Sequence, residues 1–311
     1  MRKIKIFTGS SHPSLARKIC RQLNIPLSPL EIKEYTNGCF EVILKDNVCE
    51  KTVFLIQTSL PNSCRLHRNI WELCQMINAA LKSGAKEAVV IMPYISYARS
   101  SKIYTFGMTV SGELLVKLLE ASGMKRFIGI DFHSREFEKC FSKKEKLYHL
   151  SALSLIAAYL GRKNLENTVL LSADQGASKS ASFLAERLNL LLGSVEKERI
   201  SDTKVKIKKI NSKVFGKDII VVDDEISTGA TARTLGKKLE KLGAKNLTIA
   251  VTHGLFAGEA IANLQEIKIL KQVIVSDTVP ISREARKSLP LKILSVAEVL
   301  AKTIREITKE D

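Results

Sequence analysis

Short, unbroken apolar runs recur along this chain with helical patterns between them. That alternation constrains the fold more than any other feature. Val53–Ile56, Ala88–Ile91 and Phe127–Ile130 are such runs, followed by Val169–Leu171, Ile219–Val222, Leu247–Val251 and Val273–Val275. A strand with one wet face alternates polar and apolar residues, whereas unbroken runs suit parallel strands covered on both faces. Between them, stretches such as Trp71–Ser83, Ser111–Ser122 and Thr231–Leu242 carry apolar residues at helical spacing. The expectation is an α/β fold whose sheets are mainly parallel and flanked by helices.

The chain has 311 residues, which suits two domains of about 150 residues each. It also repeats itself. Leu81-Lys82-Ser83-Gly84-Ala85-Lys86 leads into the Ala88–Ile91 run, and Leu239-Glu240-Lys241-Leu242-Gly243-Ala244-Lys245 leads into Leu247–Val251. In both, a helix ends at a glycine, Ala-Lys follows, and a strand begins. A strand, a loop and a helix precede each copy. We therefore expect two similar domains, residues 1–148 and 149–311, with the final helix free to pack back on the first. No Pro- or Gly-rich linker marks the join.

Composition narrows the classes. No apolar run approaches the roughly 18 residues of a membrane span. Met1–Phe7 reads as a first strand, without the apolar region and cleavage site of a signal peptide. The cysteines, at 20, 39, 49, 64, 74 and 140, show no CxxC spacing, so reduced thiols and a cytoplasmic location are expected. Lys plus Arg exceed Asp plus Glu, 49 to 32, a net charge of +17. Such a surplus favours anionic partners. With only 6% aromatic residues and no nucleic-acid module signature, nucleotides and sugar phosphates are expected rather than nucleic acid.

Asp218-Ile219-Ile220-Val221-Val222-Asp223-Asp224-Glu225-Ile226-Ser227-Thr228-Gly229-Ala230-Thr231 carries the chemistry. A buried strand ends in two carboxylates, and a short Ser-, Thr- and Gly-rich loop leads into a helix. Ligands in such sheets bind beyond the carboxyl ends of strands. Backbone N–H groups of the loop and the helix start form a nest for phosphate. Gly229 allows close backbone approach, and the hydroxyls of Ser227, Thr228 and Thr231 add donors. The paired acids suit sugar hydroxyls and a hydrated magnesium ion. No GxxxxGK[ST] occurs. The loop is similar to the phosphoribosyl diphosphate loop of the type I phosphoribosyltransferase superfamily, which by itself leaves salvage transferases, repressors and ribose-phosphate diphosphokinases open.

Other segments choose among them. Pro93-Tyr94-Ile95-Ser96-Tyr97-Ala98-Arg99, Ile130-Asp131-Phe132-His133, Ser172-Ala173-Asp174-Gln175-Gly176-Ala177 and Glu196-Lys197-Glu198-Arg199 follow one another in the order of a ribose-phosphate diphosphokinase. The whole chain, from Phe7-Thr8-Gly9-Ser10 to its final helix, resembles that family. Glu196 through Ser201, and Ser227, look closest to its archaeal-type members. The resemblance implies two phosphoribosyltransferase-like domains, Mg2+, ATP and ribose 5-phosphate, and a homo-oligomer of dimers that can build a hexamer. It implies Lys197 and Arg199 as catalytic cations. Asp223, Asp224, Ser227, Thr228, Gly229, Ala230 and Thr231 would hold ribose 5-phosphate. His133 and Asp174 would serve the metal. Tyr35, Asn37, Cys39, Arg99, Ser100 and Ser101 fall where the family binds ATP.

Two departures fall in that ATP half. Asn37 and Cys39 stand where the family carries Asp and Glu, and Ser100-Ser101 where it carries Gln-Asp. A cysteine is a poor partner for an adenine amino group. Beside an active enzyme, a non-catalytic or altered-nucleotide paralogue therefore stands as the alternative. Lys204, Lys206, Lys208 and Lys209 read as a solvated flap, and His12, His67 and His149 as histidines without a constellation.

Overall fold

The computed structural model describes residues 3–60, 63–144, 146–173, 177–199 and 205–310. In chain order the elements are β1 (Ile4–Thr8), α1 (Pro13–Leu23), β2 (Leu30–Glu34), β3 (Phe40–Leu44), β4 (Thr52–Ile56), α2 (Ser63–Lys82), β5 (Glu87–Ile91), α3 (Ser111–Ala121), β6 (Arg126–Ile130), α4 (Arg135–Glu138) and β7 (Lys146–Leu150). Then come α5 (Leu153–Leu160), β8 (Thr168–Ser172), α6 (Ser178–Leu188), β9 (Leu191–Arg199), β10 (Val205–Ile210), β11 (Asp218–Ile226), α7 (Ala230–Lys241), β12 (Asn246–Gly254), α8 (Ala260–Gln265), β13 (Leu270–Ser276), α9 (Arg283–Ser288), β14 (Leu291–Leu294) and α10 (Ala297–Glu310). These form two compact units. One comprises Met1–Leu150, Thr278–Pro280 and Ser295–Asp311, the other Ser151–Asp277 and Ile281–Leu294.

The first unit holds a five-stranded sheet in the order β1-β4-β5-β6-β7, parallel throughout. Its central strands β4, β5 and β6 are buried on both faces, as the unbroken runs require, whereas the edge strand β7 has no buried residue. Phe7, Val53, Leu55, Val90 and Phe127 form its core with Leu73, Met76 and Ile77 of α2 and Leu115 and Leu119 of α3. The β2–β3 hairpin stands as a separate two-stranded antiparallel sheet.

The second unit repeats this plan. Its seven-stranded sheet runs β10-β9-β8-β11-β12-β13-β14, so β8-β11-β12-β13-β14 reproduces the first unit's order. Here the hairpin joins the main sheet, because β9 pairs in parallel with β8 and antiparallel with β10. The basic stretch read as a flap thus contains a strand. Lys206, Lys208 and Lys209 lie on β10, held by antiparallel pairing and by Ile207, which is buried. Lys204 lies outside the described residues.

The repeat extends to single hydrogen bonds. Gly84 and Gly243 both have positive φ, 83° and 76°. Ala85 N–H reaches Ala80 O at 3.1 Å and Ala244 N–H reaches Leu239 O at 3.0 Å. Lys86 N–H donates to Lys51 O at 3.0 Å and Lys245 N–H to Lys217 O at 2.8 Å. Each unit also packs one further helix on the helix after its first strand. In the second unit α5 packs on α6, and in the first α10, from the chain's far end, packs on α1. Leu300, Ala301, Ile304 and Ile307 of α10 and Leu15, Ala16 and Ile19 of α1 are buried.

Candidate active site

The acidic strand end is built by β11, which runs on through Asp223, Asp224 and Glu225 to Ile226. The two aspartates therefore sit within the strand's last residues and are half-buried. Each carboxylate accepts a hydrogen bond from the next residue: Asp224 N–H to Asp223 Oδ1 at 3.0 Å, and Glu225 N–H to Asp224 Oδ1 at 2.8 Å. On the neighbouring strand, buried His253 is the register partner of Glu225.

The loop Ser227–Gly229 turns the chain into α7. Gly229 caps the helix at φ 72°. A Cβ there would lie 3.1 Å from Ala260 O and 3.4 Å from Asn263 Cβ. Asn263 Nδ2 donates to Thr228 O at 2.8 Å and Ala257 N–H donates to Ser227 O at 3.0 Å, so two loop carbonyls are tied down from outside. Arg233 N–H is the first along α7 to reach a carbonyl of the loop, Gly229 O at 2.9 Å. As at any helix start, the preceding N–H groups are left for another acceptor. The hydroxyls of Ser227, Thr228 and Thr231 make no hydrogen bond to another described residue.

The corresponding strand end in the first unit is different. After β4, Thr58 Oγ1 donates to Thr278 O at 3.0 Å and Ser59 Oγ donates to Tyr94 O at 3.0 Å. Gln57 Oε1 accepts from Ser11 Oγ at 2.5 Å. These polar groups are spent on the protein itself, while the hydroxyls at the duplicated position are not. The physical content of the site lies in that asymmetry.

In the first unit the structure brings two of the candidate segments together. Arg99 ends a 3-10 turn over Ser96–Arg99 and is exposed. Ser100 Oγ accepts from Ser111 N–H at 3.3 Å, fixing the start of α3. Ser101 Oγ lies 3.1 Å from Ser134 Oγ, beside exposed His133, and Lys102 Nζ meets Glu136 Oε1 at 3.0 Å. That lysine holds the Glu136 carboxyl below its ordinary range by hydrogen bonding. The short hydroxyls of Ser100 and Ser101 thus pin the Arg99 and His133 segments to their surroundings.

The hairpin turn carrying Tyr35, Asn37 and Cys39 is exposed and closes on itself. Tyr35 N–H donates to Cys39 O at 2.9 Å, and Asn37 Oδ1 accepts from Cys39 N–H at 3.0 Å. Tyr35 Oη donates to Glu41 Oε2 at 2.6 Å, and that bond to a carboxylate raises the phenol's pKa. Asp174 lies outside the described residues. Positions 197 and 199 belong to β9, paired with Ile207 and Val205, and their side chains lie outside the description.

Sequence reasoning passed over His12, His67 and His149, and each has a partner. Buried His12 lies with Nδ1 3.1 Å from Ser14 Oγ, and His67 Nε2 lies 2.7 Å from Tyr97 Oη. His149 bonds Glu138 and the backbone of Phe132. All three partnerships except the first join distant segments, so no local spacing announced them.

A duplicated, mainly parallel frame, with a glycine- and hydroxyl-bearing loop past the end of β11, defines the class: a two-unit α/β protein. Comparison with known proteins then places it. Residues 4–123 match the N-terminal domain of ribose phosphate pyrophosphokinase, and residues 198–311 match the phosphoribosyl synthetase-associated domain. The chain is 36% identical to a Streptomyces coelicolor protein named as a candidate ribose-phosphate pyrophosphokinase, covering 99% of this chain and 95% of that one. It is 33% identical to the ribose-phosphate pyrophosphokinase of Deinococcus radiodurans, covering 97% and 94%. The crystal structure of phosphoribosylpyrophosphate synthetase from Mycobacterium smegmatis superposes with a TM-score of 0.91 at 28% identity, over 99% of this chain and 100% of that one. The chain belongs to the ribose-phosphate pyrophosphokinase family, a family of enzymes. The non-catalytic alternative is not favoured.

Proposed function

We propose that the chain transfers the diphosphoryl group of ATP to the 1-hydroxyl of ribose 5-phosphate, giving phosphoribosyl diphosphate and AMP. One observation carries the assignment to this chain's own residues. The Ser227–Gly229 loop and the start of α7 leave hydroxyls and N–H groups unspent at a strand end bearing Asp223 and Asp224. Ser227, Thr228, Gly229, Ala230 and Thr231 hold the 5-phosphate, and Asp223 and Asp224 take the ribose hydroxyls.

In the reaction the 1-hydroxyl oxygen forms a bond to the β-phosphorus of ATP. The bond from that phosphorus to the α,β-bridging oxygen breaks, the hydroxyl proton is released, and AMP departs. Such transfer is largely positioning and charge stabilisation. Lys197 and Arg199, two residues apart on β9, supply fixed positive charge to the oxygens that gain charge in the transition state. Arg99, Ser100, Ser101, Tyr35, Asn37 and Cys39 form the ATP half. There Asn37 Oδ1 is already engaged with its own turn, so adenine gains less from it than from a free carboxylate.

Among the described residues no cluster of three or more His, Cys, Asp and Glu side chains could cage a metal. Mg2+ keeps several waters and is held by one or two side chains with substrate phosphates. His133 and Asp174 would hold it, and it would neutralise phosphate charge. The two compact units are read as the two domains, and the working form as a cytoplasmic homo-oligomer of dimers or a hexamer, with no nucleic-acid or membrane partner. No helix among the described residues is long and apolar enough to cross a membrane.

The test is AMP release from ATP by purified protein with Mg2+ and ribose 5-phosphate, with GTP and CTP in parallel. Release that requires ribose 5-phosphate and disappears in Asp223→Ala/Asp224→Ala is expected. Calorimetry showing unchanged ribose 5-phosphate binding by that variant would overturn the site.

A further inference from the structure

We propose that His149 is a positioning residue for His133, acting through the turn Asp131–His133. The inference rests on the reading of His133 as a group that serves the magnesium ion. His149 lies on β7, where Gly129 of β6 is its register partner. Its Nε2 is 3.0 Å from Phe132 N, the amide of the residue before His133. A backbone amide only donates, so Nε2 must present its lone pair. The Nδ1 atom lies 2.7 Å from Glu138 Oε1 on α4. A carboxylate accepts, so Nδ1 carries the proton. The two contacts together select one neutral tautomer.

The His149 ring also stacks on Phe132, with centroids 4.2 Å apart and planes 15° from parallel. One side chain therefore grips Phe132 at both its amide and its ring. The grip falls where the backbone needs it. Asp131 sits at φ 41°, in the left-handed region that few residues but glycine, asparagine and aspartate adopt. Its N–H is tied to Leu150 O at 2.9 Å, one residue beyond His149. Gly129 makes room for the arrangement, since a Cβ there would lie 2.2 Å from the Phe132 ring. On the other side of His133, Ser134 meets Ser101. His133 is thus exposed on a peptide held at the residue before it and the residue after it.

A histidine–carboxylate pair that orients a metal's own ligand is a common arrangement, and its loss costs about 10–100-fold in affinity or activity. Here the pair orients the ligand's backbone instead. His149→Ala should lower kcat/KM for Mg-ATP roughly 10-fold. His149→Gln, whose Oε1 can accept the Phe132 N–H, should recover most of it. Added to His133→Ala, His149→Ala should cost nothing further, because the residue it positions is gone.

The experiment measures these variants and the double variant in the full chain, with thermal melts alongside. It adds histidine 15N NMR spectra of the unsubstituted protein without nucleotide. Support comes from the non-additive cycle, the Gln rescue and an Nδ1-protonated His149. His133→Ala without effect would overturn the reading of His133 and the inference with it. An impaired His133→Ala beside a His149→Ala within twofold of the parent would overturn the inference alone. So would a His149→Ala deficit that persists in the His133→Ala background, or an Nε2-protonated or cationic ring. The NMR test holds even if His149→Ala does not fold.

Discussion

Gly229, at the end of the Ser227–Gly229 loop, tolerates a side chain poorly. Its φ of 72° is one that a side chain strains. A Cβ would press on the Ala260 carbonyl, which is backbone and cannot swing away. Gly229→Ala should cost about 1–2 kcal/mol of stability, read as a shift of the urea midpoint, and should weaken ribose 5-phosphate binding in calorimetry. Lys197→Ala or Arg199→Ala should instead leave the midpoint near its parent value and lower turnover by about 10²–10³. A turnover within a few-fold of the parent would remove both from the catalytic machinery. The thiols make a third residue-scale case. Burial pushes the Cys20 thiol up to about 11 and raises that of Cys74. Cys39 and Cys49 are exposed. Brief alkylation of the native protein near neutral pH should label the exposed pair and spare the buried one, by peptide mass mapping, since the thiolate is the reactive form.

Elements differ in how plainly they were written in the chain. The central parallel strands were legible because burial on both faces favours unbroken apolar runs, so Val53–Ile56 or Ile219–Val222 stand out. The hairpin strands β2, β3, β9 and β10 and the edge strand β14 carry mixed residues, and no run marks them. Helix α2 begins at Ser63, earlier than its apolar pattern, because Arg65, His67 and Arg68 belong to a turn whose wet side dominates the composition. The β2–β3 turn, with Asn37 and Cys39, can be tested as an element. An Asp at 37 could still accept the Cys39 N–H that Asn37 now accepts, so the hairpin should survive Asn37→Asp/Cys39→Glu. The KM for ATP should fall in that variant. A KM equal to the parent's would mean that these two positions do not limit ATP use.

At the scale of the molecule, duplication explains why one frame appears twice but the chemistry does not. The first unit's strand-end polar groups, Gln57, Thr58 and Ser59, bond to Ser11, Thr278 and Tyr94. The carboxylate of fully buried Glu72 accepts from Ser10 N–H at 2.6 Å and from Ser10 Oγ at 2.7 Å, at the end of that unit's first strand. One copy has turned these polar groups into structure, and in the other the hydroxyls of Ser227, Thr228 and Thr231 make no hydrogen bond to another described residue. The same duplication makes the chain's last helix part of its first unit. Leu300 is fully buried in α10, so Leu300→Ala should cost about 2–5 kcal/mol. Chemical denaturation should show that loss in the transition of the unit containing α1. A midpoint shift too small to measure would mean that α10 adds little to that unit.

The sequence by itself determined the α/β class, the repeated strand–helix plan and the acidic glycine-hydroxyl loop. Each is a local pattern: a run, a spacing, a turn residue whose φ only glycine takes easily. What the tertiary structure alone decided is what each polar group has left to give. Thr58 and Thr228 are both threonines two residues past a parallel strand. Thr58 is spent because Tyr94 and Thr278 come to it, and the Thr228 hydroxyl meets no such partner among the described residues. His149 is the same lesson in reverse. It has no motif around it, and it becomes a two-sided clamp only because β6, α4 and β7 bring Phe132 and Glu138 to its ring. Hydrogen bonds between residues distant in sequence are set by packing, and packing belongs to the whole fold.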